Sequence, residues 1–335
     1  MSNAQIKAIE DYIRLLDRNA ITHAIRTAAD LGVFDALAKR QHTLDELCEE
    51  LNLNADALDL LMDVLCETEL VQKFRDDFAL STVGKLIPPA FRDFGDHHWQ
   101  YLRSYIRTGM PLPVHEDIPV TEADFRGDRA TTEWIQTPAA LDTANILGAG
   151  SERTGLRILE IGCGAAVFGA ALAHRDEDCQ LVLLDDQSGI KRASKSISGV
   201  GVEGRTQYVE ADYRDETIQT IVENECGNSG FDLLIMTEIL HRHTLDECGD
   251  LIKRIGGLLK QDGEMAIVDI FPGQEKGSGH RAVMALELGL RTRHGKVHNP
   301  EELTGILKKA GFEKIQYSHL PSPPFVLGLI VAGRE

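Results

Sequence analysis

The 335-residue sequence predicts an α/β chain in which a mainly helical winged-helix module precedes a parallel, doubly wound sheet. Three observations predict it. Before residue 95, apolar residues recur at helical spacing. After about residue 155, short β-rich runs alternate with helical ones. Glycines and carboxylates gather where those runs end.

The module is expected over residues 1–95. Ile6, Ile9, Ile13 and Leu16 share a helical face, and "AITHAIRTAADLGVFDALA" continues that period. In "HTLDEL", Thr43 and Glu46 have the spacing of a capping box. "NADALDLLMDVLCE" reads as a further helix capped by Asn54, with Leu58, Leu61 and Leu65 inward. "ELVQKFRDDFALS" then alternates around "RDD" as a hairpin, completing a winged helix. Such a module suggests DNA binding, but its second helix carries Asp56, Asp59, Asp63 and Glu67 and no basic residue. A phosphate-lined groove would repel it, so a structural or dimerisation module is expected.

Residues 96–150 read as a helical connector that contributes to a substrate pocket. A helix through Ile106 should end at Gly109, Pro111 and Pro113, and more helix is expected near Trp134. Over residues 151–335, "LRILEIG", "CQLVLLD", "RTQYVEAD", "FDLLIMTE" and "EMAIVDIF" read as strands. "AAVFGAALAH", "GIKRASKSI" and "LDECGDLIKRIGGLLK" read as intervening helices. A last helix opens with Asn299, Pro300 and two glutamates and stops at Gly311. Sheets of this kind bind ligands at the carboxyl ends of their strands.

The totals narrow the partners. A formal net charge of −18 argues against nucleic acid. The six cysteines show no metal-type spacing, and neither a signal core nor a membrane span is apparent, so a cytoplasmic protein with reduced thiols is expected.

The first strand of the sheet runs into "LEIGCGAAVFG". A dinucleotide fingerprint needs glycine at position 167, which is Val167, and this disfavours a dehydrogenase. What fits is an acid followed by small residues at alternate positions: Glu160, Gly162, Gly164 and Ala166. The second strand ends at Asp185 and Asp186, and the third runs into Asp212 and Tyr213. With these acids in place, the chain resembles the class I S-adenosylmethionine-dependent methyltransferases, whose Rossmann-like sheet opens with an acidic-x-G-x-G-x-G motif. Ala166 departs from the third glycine. The resemblance implies that Glu160, Gly162, Gly164, Asp185, Asp212, Tyr213 and Thr237 bind S-adenosyl-L-methionine, with S-adenosyl-L-homocysteine as product. Asp185 would take the ribose hydroxyls, Asp212 the adenine amino group, and Tyr213 would pack on the ring.

"ILHRHTLDEC", after the fourth strand, and "YLRSYIRTGMP", in the connector, are similar to segments of the small-molecule O-methyltransferases that pair a winged-helix dimerisation domain with this sheet. The resemblance covers nearly the whole chain, least well over residues 114–150. It implies a homodimer acting on a small aromatic or polyketide-like hydroxyl, with His241 as general base. Two departures bear on His241. Arg242 and His243 stand where the family has an acid and an aromatic residue. Val297 occupies the neighbourhood of a carboxylate that orients the histidine, so His241 is expected to lack its usual orienting group. A pocket histidine held only by hydrogen bonds is the plainer reading. A metal on His241 and His243 would need a third ligand, and none stands near in the chain; no metal is expected.

Trp99, Met284, Arg242 and Arg291 are candidate substrate contacts, the two arginines for an acidic acceptor. The alternatives are C- or N-methylation, cofactor binding without methyl transfer, and a ligand-responsive winged-helix regulator.

Overall fold

The computed structural model describes residues 2–86, 95–115, 121–272, 280–320 and 327–334. The chain divides into two compact units, Met1–Gln100 and Tyr101–Glu335.

The first unit contains α1 (Asn3–Asp30), α2 (Val33–Lys39), β1 (His42–Thr43), α3 (Leu44–Leu51), α4 (Ala55–Glu67), β2 (Val71–Phe74), β3 (Asp77–Leu80) and α5 (Asp96–Trp99). The capping box at α3 forms as the sequence predicts, with Thr43 accepting from the Glu46 N–H at 3.2 Å and Glu46 from the Thr43 N–H at 2.9 Å. In α4, Leu58, Met62 and Leu65 are buried and Leu61 only partly, because the i, i+4, i+7 row meets the core. Asp56, Asp59, Asp63 and Glu67 are all exposed, so the acidic face of α4 is turned to solvent.

The second unit begins with α6 (Leu102–Thr108), ended by Gly109 at φ 68°, followed by α7 (Glu122–Ala130) and α8 (Thr137–Ile146). The sheet follows, with β4 (Arg157–Ile161), α9 (Val167–Arg175), β5 (Gln180–Asp185), α10 (Gln187–Val200), β6 (Thr206–Glu210), α11 (Ile218–Cys226), β7 (Phe231–Thr237), α12 (Leu245–Gly256) and β8 (Leu259–Asp269). The chain closes with α13 (His280–Arg291), α14 (Pro300–Lys309), β9 (Lys314–Leu320) and β10 (Leu327–Gly333). Strand order is β6-β5-β4-β7-β8-β10-β9.

The five strands that the sequence predicts, β4 to β8, pair in parallel, and the sheet continues with two strands it did not predict, β10 running antiparallel to both β8 and β9. Only residues 321–326 separate β9 from β10, fewer than the roughly one dozen a parallel crossover needs.

Alternate strand residues feed two cores. Ile158, Leu183, Leu233, Ile235 and Val268 lie in one, and Leu159, Ile161, Leu184, Leu234 and Ile267 in the other. Burial on both faces is why these strands read as unbroken apolar runs. The chain builds outward from β4 to β6, then returns to the other side of β4 with β7. That reversal opens a crevice between the ends of β4 and β7. No helix among the described residues is long and apolar enough to cross a membrane.

At the mouth of this crevice Gly162, Gly164 and Ala166 all have left-handed backbones, with φ of 61°, 54° and 55°. Ala166 is the N-cap of α9 and fully buried, and a Cβ in this region costs about 1–2 kcal/mol. Ala166→Gly is therefore expected to raise unfolding free energy by about 1 kcal/mol, seen as a higher denaturant midpoint at unchanged slope. An unchanged or lower midpoint would show that the strain is relieved elsewhere.

Candidate active site

The crevice is built at five strand ends, those of β4 to β8. Beyond β4, the turn over residues 162–166 presents its N–H groups. Gly164 N–H donates to Asp185 Oδ2 at 2.7 Å, and Ala165 N–H to Glu133 Oε2 at 2.6 Å. Glycine is required at two points of the turn. A Cβ on Gly162 would lie 2.5 Å from the Ile239 side chain, and one on Gly164 would lie 2.7 Å from the Glu133 carboxylate.

Glu160 stands inside the sheet. Its Oε2 accepts from the Gly169 N–H at 2.9 Å, while Oε1 is buried with no partner. Burial, with the charges of Glu133 and Asp185 adding to it, pushes Glu160 up to about 8.

At the end of β5, Asp185 also accepts from the Asp186 N–H at 2.7 Å, and burial raises its pKa. Asp186 caps α10 by accepting from the Gly189 N–H at 2.9 Å. Beyond β6, Asp212 is held by Arg214 through Nη2 at 2.7 Å and Nε at 2.9 Å, an ion pair that lowers its pKa. Tyr213 is largely buried, its hydroxyl 3.1 Å from His243 Nε2 and the two rings edge to face. Burial raises the Tyr213 pKa and lowers that of His243.

Thr237 ends β7. The next residue, Glu238, takes a left-handed φ of 52° and pairs with Arg129 of α7 at 2.7 Å. Burial opposes its ionisation, but the Arg129 guanidinium prevails and holds Glu238 at about 2. A non-glycine residue in this conformation stores strain of the kind found at functional sites.

His241 follows on a single 3₁₀ turn, Leu240–Arg242, and is buried. Its Nδ1 lies 2.6 Å from Asp269 Oδ1 at the end of β8, and its backbone N–H donates to Asp269 Oδ2 at 3.2 Å. The expectation that His241 lacks an orienting carboxylate is thus corrected. Asp269 supplies one from the adjacent strand, because β7 and β8 pair in parallel and finish together. Val297 is partly buried and packs against the core.

Two other expectations change. The Arg291 guanidinium is buried, held by Asp128 at 2.6 Å and Glu287 at 3.0 Å over the Phe125 ring. So paired, its charge is balanced by two carboxylates. Met284 is buried in the core with Leu288. Arg242 is partly exposed, forms no ion pair among the described residues, and has a buried Nε without a partner. Trp99 belongs to the first unit.

Sequence reasoning missed Glu133, Arg129, Glu238 and Asp269. The first two lie in the region the sequence leaves unplaced. Asp269 was legible as the acid that ends the fifth strand.

Carboxylates at successive strand ends, a glycine turn and a histidine paired with a carboxylate define a methyltransferase of the doubly wound class. Two family models match the chain: the O-methyltransferase dimerisation domain at residues 13–86 and the O-methyltransferase domain at residues 114–313. The chain belongs to the O-methyltransferase family and is an S-adenosylmethionine-dependent methyltransferase. It is 25% identical over 324 residues to 2,7-dihydroxy-5-methyl-1-naphthoate 7-O-methyltransferase of Streptomyces carzinostaticus, covering 89% of this chain and 91% of that one. Its fold is similar to that of mitomycin 7-O-methyltransferase, with a TM-score of 0.71, 20% identity and 99% of each chain covered. Human N-acetylserotonin methyltransferase, solved in complex with SAM, gives a TM-score of 0.73 at 17% identity, covering 100% of this chain and 99% of that one.

The raised pKa of Glu160 carries a stability signature. Its folded value of about 8 lies above the ordinary carboxyl value of 4.5, so the folded state keeps a proton that the unfolded chain releases. This contribution is fully present below pH 4.5 and is lost as pH rises towards 8. Thermal melts are expected to show Glu160→Gln gaining on the parent protein from pH 5 to pH 8. Parallel curves would mean that Glu160 is ionised throughout.

Proposed function

We propose that the chain methylates a hydroxyl on a small aromatic or polyketide-like acceptor, with His241 as general base and residues of the β4, β5, β6 and β7 ends holding the cofactor. The donor set suits S-adenosylmethionine. Asp185 and Asp212 offer acceptors for ribose hydroxyls and an amino group, Tyr213 a ring face, and Glu160, Gly162, Gly164 and Thr237 line the turn beside them. Glu160 Oε1, buried and unpartnered, is one polar atom left open. Bound there, the cofactor supplies an electrophilic methyl group on a sulfonium centre.

The observation that carries the base assignment is the 2.6 Å contact of His241 Nδ1 with Asp269. A carboxylate only accepts, so Nδ1 carries the hydrogen and the Nε2 lone pair is free to take a proton. A phenol near pKa 10 lies roughly 3.5 units above an ordinary imidazole, so complete prior deprotonation would cost roughly 5 kcal/mol. Proton transfer to Nε2 as the oxygen–carbon bond forms avoids that intermediate, and Asp269 stabilises the imidazolium that results. The intact pair favours this reading over a chain that binds the cofactor without transferring its methyl group. Arg242, the candidate arginine that forms no ion pair among the described residues, is the candidate receptor for an anionic group on the acceptor. The six free cysteines suit a reducing, cytoplasmic setting.

The first test is calorimetric titration with S-adenosylhomocysteine, which is expected to bind the parent protein and to lose that binding in Asp185→Ala. A screen of hydroxylated naphthoates and naphthols should then find turnover that falls by about 10²-fold or more in His241→Ala at unchanged cofactor affinity. Undiminished turnover in that variant would remove the base assignment. Arg242→Gln joins the same screen, where equal loss on naphthoates and naphthols would exclude the acidic-acceptor role.

The same reading includes a homodimer formed through the first unit. Ile6, Ile9, Tyr12, Ile13, Leu15 and Leu16 of α1 are all exposed, a larger apolar surface than a solitary helix carries without a partner. Light scattering at micromolar concentration should give twice the 37.0 kDa chain mass, and Ile9→Glu with Ile13→Glu should halve it. A monomeric parent protein would defeat this.

A further inference from the structure

We propose that His298 is a positioning residue, a clamp that fixes the turn carrying His241 by gripping its carbonyl groups. The inference rests on the base assignment only for its consequence in catalysis. His298 is buried, and its Nε2 lies 3.2 Å from the Leu240 carbonyl oxygen and 2.9 Å from that of His243. Carbonyls only accept, so Nε2 carries the hydrogen and shares it between the two. Of the two intervening carbonyls, that of His241 itself accepts from the Lys296 N–H at 2.7 Å. One three-residue segment therefore holds the backbone on both sides of His241 and at His241.

The geometry gives the clamp a purpose. The 3₁₀ turn over Leu240–Arg242 is a single turn. Its own bonds are Arg242 N–H to the Ile239 oxygen at 3.0 Å and His243 N–H to the Leu240 oxygen at 3.1 Å. Asp269 sets the direction of the imidazole, but a hydrogen bond of 2.6 Å tolerates little movement of the backbone beneath the ring. Cys248 reinforces the grip, its Sγ lying 3.4 Å from the Leu240 oxygen, with burial pushing the thiol up to about 12. The other ring nitrogen of His298, Nδ1, is buried with no partner. The segment that lacks the expected carboxylate at Val297 acts on the backbone of the base rather than on its ring.

Two variants of the full chain separate clamp from filler. His298→Phe keeps the ring volume and removes the donor; His298→Gln keeps a donor. The readout is the imidazole spectrum of ¹⁵N-histidine-labelled protein, in which the Nδ1–H of His241, shared with Asp269, is assigned by its loss in His241→Gln. The signal is expected to broaden or vanish in His298→Phe and to persist in His298→Gln. S-adenosylhomocysteine affinity should stay within about twofold in both, as for sites without shared partners. A parent-like His241 signal in His298→Phe would overturn the proposal. So would loss of the signal in a folded His298→Gln, which settles the matter even if the phenylalanine variant does not fold. The signal is read without turnover. Failure of the base assignment, seen as undiminished turnover in His241→Ala, is therefore distinct from failure of the clamp.

Discussion

The reversal of strand order at β4 is the constraint on which the remaining architecture depends. Because β5 and β7 lie on opposite sides of β4, the connections leaving β4 and β7 diverge, and their first residues are left facing a crevice. The glycine turn at residues 162–166 comes from one lip and Glu238 to His241 from the other. Parallel pairing of β7 with β8 then brings Asp269 beside His241. The His241–Asp269 contact, between residues 28 apart in sequence, is thus set by strand register and needs no flexible loop to assemble it.

The crevice is rich in carboxylates, and the protein accommodates them by ion pairs, by backbone donors or by a retained proton. Glu238 is ionised and paired with Arg129, Asp212 is paired with Arg214, and Asp185 accepts two backbone N–H groups. Glu160 has only one donor and no cationic partner, and its proton is retained to about pH 8. An assembly of this kind suits a cationic cofactor. Fixed negative charge and unsatisfied acceptors stand ready without wholesale rearrangement, and the nearby arginines limit their mutual repulsion.

Acid on the face of α4 and apolar side chains on α1 lead to the same conclusion about the first unit. A winged helix whose second helix presents Asp56, Asp59, Asp63 and Glu67 to solvent is poorly suited to a phosphate backbone. A first helix with exposed isoleucines and leucines is well suited to covering by another protein surface. Fold alone would have suggested DNA recognition, and the acidic face of α4 is the observation that weighs against it.

The sequence by itself determined the alternation of strands and helices, the capping box at Thr43, the helix start at Asn299, the glycine turn, and the acids at the strand ends. These are local: period, cap and turn chemistry are written in neighbouring residues. The tertiary structure decided what depends on which distant groups meet. It placed Asp269 on His241, so that an orienting carboxylate sought near Val297 came from another strand. It consumed Arg291 in an ion pair, buried Met284 in the core, turned β10 antiparallel, and brought Arg129 and Glu133 into the crevice from a region without clear periodicity. Spacing along a chain does not encode such meetings, because each follows from the register and crossing of elements far apart in sequence.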